Sequence, residues 1–210
     1  MITELPMFPL GSVLMPGLAL PLHVFEPRYQ ALVERCLTSD GMFGIVLIER
    51  GFEVGGGDHR FDVGTKAEIV ESDVLPGGRW AILAVGRSRF RVRQWAEDDP
   101  YPLAEVEDWD EPPPTAAGVA TFEALLEPLR DALKLKLALG EAAVRPTVEL
   151  SDDPALAAYQ ACAIAPIGPV DQYRLLTAPS ADERMTMLAA MVEDQQMLLR
   201  ARLQPGTELD

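Results

Sequence analysis

The 210-residue sequence has little cysteine and little histidine. Its cysteines are Cys36 and Cys162, no CxxC pair occurs, and His23 and His59 are its only imidazoles. These numbers leave both a disulfide framework and a structural zinc site without support. We therefore interpret both cysteines as buried free thiols of a protein in a reducing compartment.

Basic residues are also scarce, with 18 Lys and Arg against 33 Asp and Glu and a net charge of −15. Such an excess of negative charge favours solubility and repels polyphosphate chains at long range, so we do not expect non-specific nucleic-acid binding. The sequence has no run of ~18 apolar residues that would span a membrane. Its first residues, MITELPMFPL, lack the basic region of a secretory signal. We expect a cytoplasmic protein.

The motifs of common enzyme classes are missing as well. There is no GxxxxGK[ST], no GxGxxG after a strand, no GxSxG and no HExxH. Asp58-His59 and Cys162 are weak candidates for a hydrolase, because nothing in the sequence orients them. Clustered carboxylates lie beside prolines and turns, where solvated loop charge explains them. We expect no catalytic residue, no cofactor and no metal site.

The first hundred or so residues have the short alternating runs of a β-rich module, cut by Gly, Pro and Asp. One helix interrupts them, because the apolar residues between Tyr29 and Leu37 recur at helical spacing. The predicted strands are Thr3–Pro9, Leu18–Val24, Phe43–Glu49, Thr65–Leu75, Trp80–Val85, Ser88–Ala96 and Leu103–Trp109. Composition changes at Glu111-Pro112-Pro113-Pro114, which we interpret as a stiff linker.

Beyond the prolines the chain is rich in Ala and Leu and predicts helices. The first is expected to be kinked or interrupted at Pro128. Two shorter helices are predicted at Pro154–Ile164 and Val170–Leu176, and a capping box at Ser180 opens a last helix that ends near Leu203. The sequence therefore predicts an α+β fold, with a β-rich subdomain over residues 1–111 and a helical subdomain over residues 115–210.

The most unusual charge pattern is a row of four arginines at every second position: Arg87, Arg89, Arg91 and Arg93. In an extended strand all four would share one face, with Phe90 and Val92 towards the core. One interpretation is a surface that binds an anionic or acidic partner. The other is pairing across a hairpin with Glu105 and Glu107 of the next strand, which the matching acidic row favours.

The stretch Glu26-Pro27-Arg28-Tyr29 joins an apolar run to the predicted helix. Pro27 suits the first helical position, where its missing N–H has no intrahelical partner to lose. Glu26 is expected beside the N-cap, where its charge complements the helix dipole. We expect Tyr29 to begin the buried face and Arg28 to pair with a carboxylate. The motif is therefore predicted to be structural.

Several segments together resemble the N-terminal substrate-binding domain of Lon proteases, and are similar to stand-alone bacterial proteins made of that domain. The resemblance rests on a set of short motifs in the same order: Phe25–Tyr29, Gly64-Thr65, Gly86–Phe90 and Asp182–Arg184. It implies a PUA-like twisted β-barrel or sheet module with one inserted helix, followed by an α-helical bundle. It also implies contact with protein substrates or self-association.

Full Lon carries an ATPase with a P-loop and a Ser–Lys peptidase, and neither motif occurs in this sequence. We therefore expect a non-catalytic module that binds unfolded or extended protein segments, through a groove or by backbone pairing at a strand edge. The alternative is an RNA-binding PUA-like protein, supported by the arginine row and opposed by the net charge. Met and Leu in the last helix suggest a homodimer, although a buried core explains them equally well.

Overall fold

Six strands and five helices are present in the computed structural model, which describes residues 2–51, 53, 57–141 and 144–203. The chain divides into two units, Met1–Asp110 and Glu111–Asp210. The first unit holds the strands and one helix, and the second holds four helices. The predicted α+β class is confirmed, with a mixed sheet.

The first unit consists, in chain order, of β1 (Ile2–Leu10), β2 (Ala19–Val24), α1 (Pro27–Leu37), β3 (Met42–Arg50), β4 (His59–Leu75), β5 (Arg79–Trp95) and β6 (Leu103–Asp108). The strand order is β2-β5-β4-β3-β1-β6, and β5 pairs with β6 as well. Strands β1 and β3 run parallel, and the other pairings are antiparallel. Strand β5 thus hydrogen-bonds with three other strands.

The prediction of two strands, Trp80–Val85 and Ser88–Ala96, is wrong, because β5 is continuous over 17 residues. The Gly86 N–H donates to the carbonyl of Leu18 at 2.9 Å, and the strand continues where the sequence predicted a break between two strands. The register with β4 shifts beside Gly86, and Arg87 is the extra residue of the resulting bulge. A bulge keeps the strand intact while changing its twist, which a sequence pattern does not distinguish from a turn.

Phe90, on β5, is fully buried and packs over two glycines of neighbouring strands. A Cβ added at Gly64 of β4 would lie 2.7 Å from Phe90 Cζ, and one at Gly44 of β3 would lie 2.9 Å from the same atom. Both glycines are therefore required by the close approach of the ring. The core beneath them includes Met7, Val46 and Val106.

Helix α1 begins at Pro27, as the sequence predicts, and packs one face into the core. Tyr29, Leu32, Val33 and Cys36 are its buried residues. After the helix, Gly41 adopts a positive φ of 75° and donates its N–H to the Cys36 carbonyl at 2.9 Å. This left-handed glycine satisfies a carbonyl that the helix itself leaves open.

The second unit contains α2 (Ala116–Ala138), α3 (Pro154–Ile164), α4 (Pro169–Leu176) and α5 (Ala181–Leu203). Helix α5 contacts each of the other three. One half of the predicted capping box is confirmed, since Ser180 Oγ accepts from the Glu183 N–H at 3.2 Å. Of the two alternatives expected at Pro128, an interruption is wrong, because α2 runs through this residue, and a kink stays a prediction. The packing of α2 against α5 offsets the hydrogen bond that proline removes.

A buried ion pair fixes the start of the second unit. Arg184 is 1% exposed, and its Nη1 lies 2.9 Å from Glu111 Oε1. The Tyr159 hydroxyl donates to Glu111 Oε2 at 2.6 Å, and Arg184 Nε donates to the Leu175 carbonyl at 2.9 Å. Glu111, which the sequence analysis assigned to a linker, is therefore part of the packed interior, where its partners offset the cost of burying its charge.

We predict that Gly64→Ala lowers the free energy of unfolding of the first unit by about 1–3 kcal/mol or more. The added Cβ would lie 2.3 Å from the Ile45 carbonyl oxygen, a backbone atom that cannot move aside without breaking the sheet. Urea unfolding followed by circular dichroism measures the change.

Gly168→Ala is the matched control, because a Cβ at Gly168 meets nothing within 4 Å and the residue is in an ordinary N-cap conformation. It should cost less than about 1 kcal/mol. Equal stability of the Gly64→Ala protein and the unchanged protein would contradict the close packing around Phe90.

Candidate functional site

A small cleft lies where β2 ends and α1 begins. Its volume is about 110 Å³, and it is lined by Phe8, Leu10, Leu22, His23, Val24, Phe25, Glu26, Tyr29 and Glu53. An apolar cavity of roughly 150 Å³ in a protein core holds one benzene molecule. The cleft is thus large enough for one aliphatic side chain.

The first turn of α1 forms one wall of this cleft. Glu26 is the N-cap residue, with extended φ and ψ of −74° and 134°, and its side chain makes no capping hydrogen bond. Arg28 Nε instead lies 3.1 Å from Glu26 Oε2, and Arg28 Nη2 donates to the Glu53 carbonyl at 3.3 Å. The motif therefore ties the helix start to the neighbouring loop.

Tyr29 is 3% exposed, with its ring stacked on Phe8 at a centroid distance of 4.2 Å. The Arg28 guanidinium lies 4.3 Å from the centre of the same ring. Burial raises the pKa of Tyr29 to about 12. Its hydroxyl stays protonated at neutral pH and offers no base or nucleophile, so the ring serves packing.

Strand β2 forms the other wall and is an edge strand. Across the described residues it pairs with β5 alone. The side chains of Ala19, Pro21 and His23 are exposed, whereas Leu20 and Leu22 pack partly against the core. Phe25, directly after the strand, is 55% exposed although it is a large apolar side chain. The site therefore combines an open backbone edge, an apolar cleft and an exposed aromatic ring.

The arginine row is not uniformly exposed. Arg89 is only 2% exposed, whereas the other three arginines are exposed. Arg89 and Arg91 share a face of β5, and their guanidinium carbons lie 4.3 Å and 3.5 Å from the centre of the Trp109 ring. The sequence places Trp109 at the end of a predicted strand, and its position two residues after Glu107 gives no signal for stacking on the arginines.

The exposed arginines at either end of the row pair with carboxylates. Arg87 Nη2 lies 2.6 Å from Glu68 Oε2 on β4, and Arg93 pairs with Glu107 on β6. The register places Glu105 opposite Gln94 instead of an arginine. Of the two glutamates that the pairing interpretation named, Glu107 pairs with Arg93, whereas Arg87 pairs with Glu68 of β4 instead. A role in partner binding stays a prediction, and these internal carboxylates weaken it.

The weak hydrolase candidates are not arranged for chemistry. Asp58 Oδ2 lies 2.6 Å from Arg60 Nε. Burial is the largest single influence on the pKa of Asp58 and would raise it, but the hydrogen bond and charge of Arg60, a backbone hydrogen bond and the charge of Arg28 together lower this pKa. Burial raises the pKa of Cys162 to about 12. Within the part of the chain that the structure describes, no group of three His, Cys, Asp or Glu could hold a metal ion.

The second unit has a larger concavity of about 570 Å³ between α2 and α5. Its lining is Thr121, Ala124, Leu125, Pro128, Ala189, Ala190, Glu193 and Gln196. Helix backbones use their hydrogen-bonding groups internally, so this groove offers side-chain contacts and little backbone pairing. The edge of β2, in contrast, has backbone groups that are free for pairing across the described residues.

Comparison with known proteins identifies the domain. Residues 4–194 match the family model described as the ATP-dependent protease La (LON) substrate-binding domain. The chain belongs to this family. The suspected resemblance to the Lon N-terminal domain is therefore confirmed.

Similar proteins include the Lon protease of Parabacteroides distasonis, 26% identical over 98% of this chain and 26% of that protein. The Lon protease of Cytophaga hutchinsonii is 34% identical over 49% of this chain and 13% of that protein. The chain thus spans about a quarter or less of the length of these relatives.

Two solved structures share the fold. A Lon N-terminal domain protein from Xanthomonas campestris is 27% identical, with a TM-score of 0.61 over 90% of this chain and 98% of that one. The N-terminal domain of a Mycobacterium avium complex Lon protease is 18% identical, with a TM-score of 0.65 over 91% of this chain and 99% of that one. In the ranges described here, no helix is long and apolar enough to cross a membrane.

We predict that Glu26→Ala lowers the free energy of unfolding by about 0.5–1 kcal/mol, because the helix N-terminus loses a negative charge. The change also removes the partner of Arg28. Thermal unfolding compares this variant with Glu26→Gln, which keeps the side-chain length. A loss of partner binding with an unchanged melting temperature would instead make Glu26 a binding residue.

We predict that neither cysteine reacts rapidly with a thiol reagent at pH 8 in the folded protein, because burial raises the pKa of Cys36 and of Cys162 to about 12. When the chain is unfolded in guanidinium, the reagent should react with two thiols per molecule. The neutral thiols stabilise the fold fully below their usual pKa of 9.0, and this contribution is lost as the pH rises towards 12. One thiol that reacts within seconds in the folded protein would contradict the burial.

Proposed function

We propose that this chain is a non-catalytic module that binds unfolded or extended protein segments. The observation that carries the proposal is the open edge of β2 beside an apolar cleft, in a chain whose family is the substrate-binding domain of Lon. Recognition of unfolded chains needs apolar contact and backbone hydrogen bonds, because these are the groups that unfolding exposes. Both are available at this site.

We also propose the PUA-like barrel that the family resemblance implies. Its support is the series of pairings from β5 through β4, β3, β1 and β6, which returns to β5. The contacts of α5 with three other helices support a helical bundle in the second unit. A homodimer and a cytoplasmic location stay predictions, and sedimentation analysis tests the first.

Absence of catalysis is part of the proposal. The sequence lacks a P-loop, the described cysteines are buried, and Asp58 is bonded to an arginine. ATP hydrolysis needs a P-loop and peptide cleavage needs an activated nucleophile, and the sequence has neither motif. We therefore expect the protein to bind substrates without hydrolysing ATP or cleaving peptides. Incubation with ATP or with an unfolded protein should leave both intact.

We predict that Phe25→Ala raises the Kd for reduced, carboxymethylated α-lactalbumin roughly fivefold, as loss of an apolar contact of about 1 kcal/mol would. Phe25 lines the cleft and is 55% exposed, so the fold should keep its melting temperature. Fluorescence anisotropy with labelled α-lactalbumin measures the binding.

Val170→Ala is the control, because Val170 is also 55% exposed but lies on α4 of the second unit. It should leave the Kd unchanged. If the unchanged protein does not bind α-lactalbumin at micromolar concentrations, the proposed function fails. If both variants bind as the unchanged protein does, the cleft is not the binding site.

A further inference from the structure

The hydrogen-bond pattern of β2 fixes which backbone groups are available at its free edge. The Gly86 N–H donates to the Leu18 carbonyl, so residue 18 faces β5 with its backbone groups. Backbone direction alternates along an antiparallel strand, and the β2–β5 register has no shift. Leu20, Leu22 and Val24 therefore bond to β5, and the backbone groups of Ala19, Pro21 and His23 point outwards.

Pro21 agrees with this assignment, because a proline has no N–H and is tolerated where that group would face away from the sheet. The free edge thus offers the N–H groups of Ala19 and His23, and the carbonyls of Ala19, Pro21 and His23. The edge lacks an N–H donor at its central residue, Pro21. An added strand would form hydrogen bonds at both ends of β2 and lack one at its centre.

The cleft lies beside β2, and none of its described lining residues comes from β5. Every second side chain of a strand added to β2 would therefore point towards it. Leu22 and Val24 line the cleft, and their side chains point to the core face. A residue opposite Leu22 or Val24 in an added strand projects to that same face. Its side chain would enter a cavity of about 110 Å³, which fits a branched aliphatic group.

We infer that an extended protein segment adds to β2 as an extra strand, bonded at Ala19 and His23, and places a branched aliphatic side chain in the cleft. The inference rests on the proposed function and specifies the class of segment. The side chains of Ala19, Pro21 and His23 are exposed on the solvent face, and among the described residues no second strand pairs with the outward edge of β2.

Backbone pairing is tested with the segment itself. Overlapping 13-residue peptides of α-lactalbumin identify the tightest binder by fluorescence anisotropy, and that peptide is then N-methylated at one residue at a time. A paired strand directs every second N–H towards its partner. We expect the Kd to rise at least about fivefold at alternate residues, as loss of a hydrogen bond near 1 kcal/mol predicts, and to change little between them.

The protein side is tested at Pro21 and His23. Pro21→Ala supplies the missing donor and should tighten binding roughly three- to tenfold. Pro76→Ala, in the exposed turn between β4 and β5, is the matched control and should have no effect. His23→Pro removes an outward donor and should weaken binding more than His23→Ala, which removes only the side chain. Circular dichroism confirms that each variant is folded.

An N-methyl scan without alternation, or a Pro21→Ala variant that binds as Pro76→Ala does, overturns the inference. Binding of α-lactalbumin would then still support the proposed function, so the two failures are distinguishable. If the Pro21→Ala protein dimerises in sedimentation analysis and its peptide affinity is unchanged, the edge pairs with a second copy, which also overturns the inference. If every aliphatic residue of the tightest-binding peptide can be replaced by Asp without raising the Kd, the aliphatic anchor is contradicted.

Discussion

The packing of Phe90 over Gly44 and Gly64 is the constraint on which the first unit depends. It brings β3, β4 and β5 close together on the core side, where no side chain larger than hydrogen fits at either glycine. Because Phe90 points inwards, Arg89 and Arg91 must both lie on the opposite face. The Trp109 ring lies beside their guanidinium groups on that face. The arginine row is thus partly a consequence of how the core is packed.

The length of β5 has a second consequence, because it hydrogen-bonds β2 along one part and β6 along another. Across the residues that the structure describes, β2 pairs with β5 alone, so its other edge is open in that part of the chain. Helix α1 follows β2 directly, and Pro27 sets the direction in which the chain leaves the strand. The cleft is therefore produced by local chain geometry, and its walls are held by Tyr29 stacked on Phe8.

Much of this arrangement was predictable from periodicity and turn chemistry. The sequence predicted α1 from the spacing of Tyr29 to Leu37, and the cap at Ser180 was recognised because capping is local. The continuity of β5 was missed because a bulge and a turn share the same glycine signal. The burial of Glu111 and the stacking on Trp109 were missed because each depends on partners distant in sequence, which periodicity does not report.

An edge that binds unfolded segments must also avoid pairing with other copies of itself. An edge strand without proline would offer an N–H donor and a carbonyl acceptor at every outward residue. Such a strand would pair with any extended chain. Pro21 removes one donor from the centre of β2, which weakens each pairing by about one hydrogen bond. The remaining affinity then depends on a side chain that fits the cleft. In the proposed binding mode, selectivity for apolar segments follows from the weakness of the backbone pairing, since the edge alone would not hold a partner that lacks the aliphatic anchor.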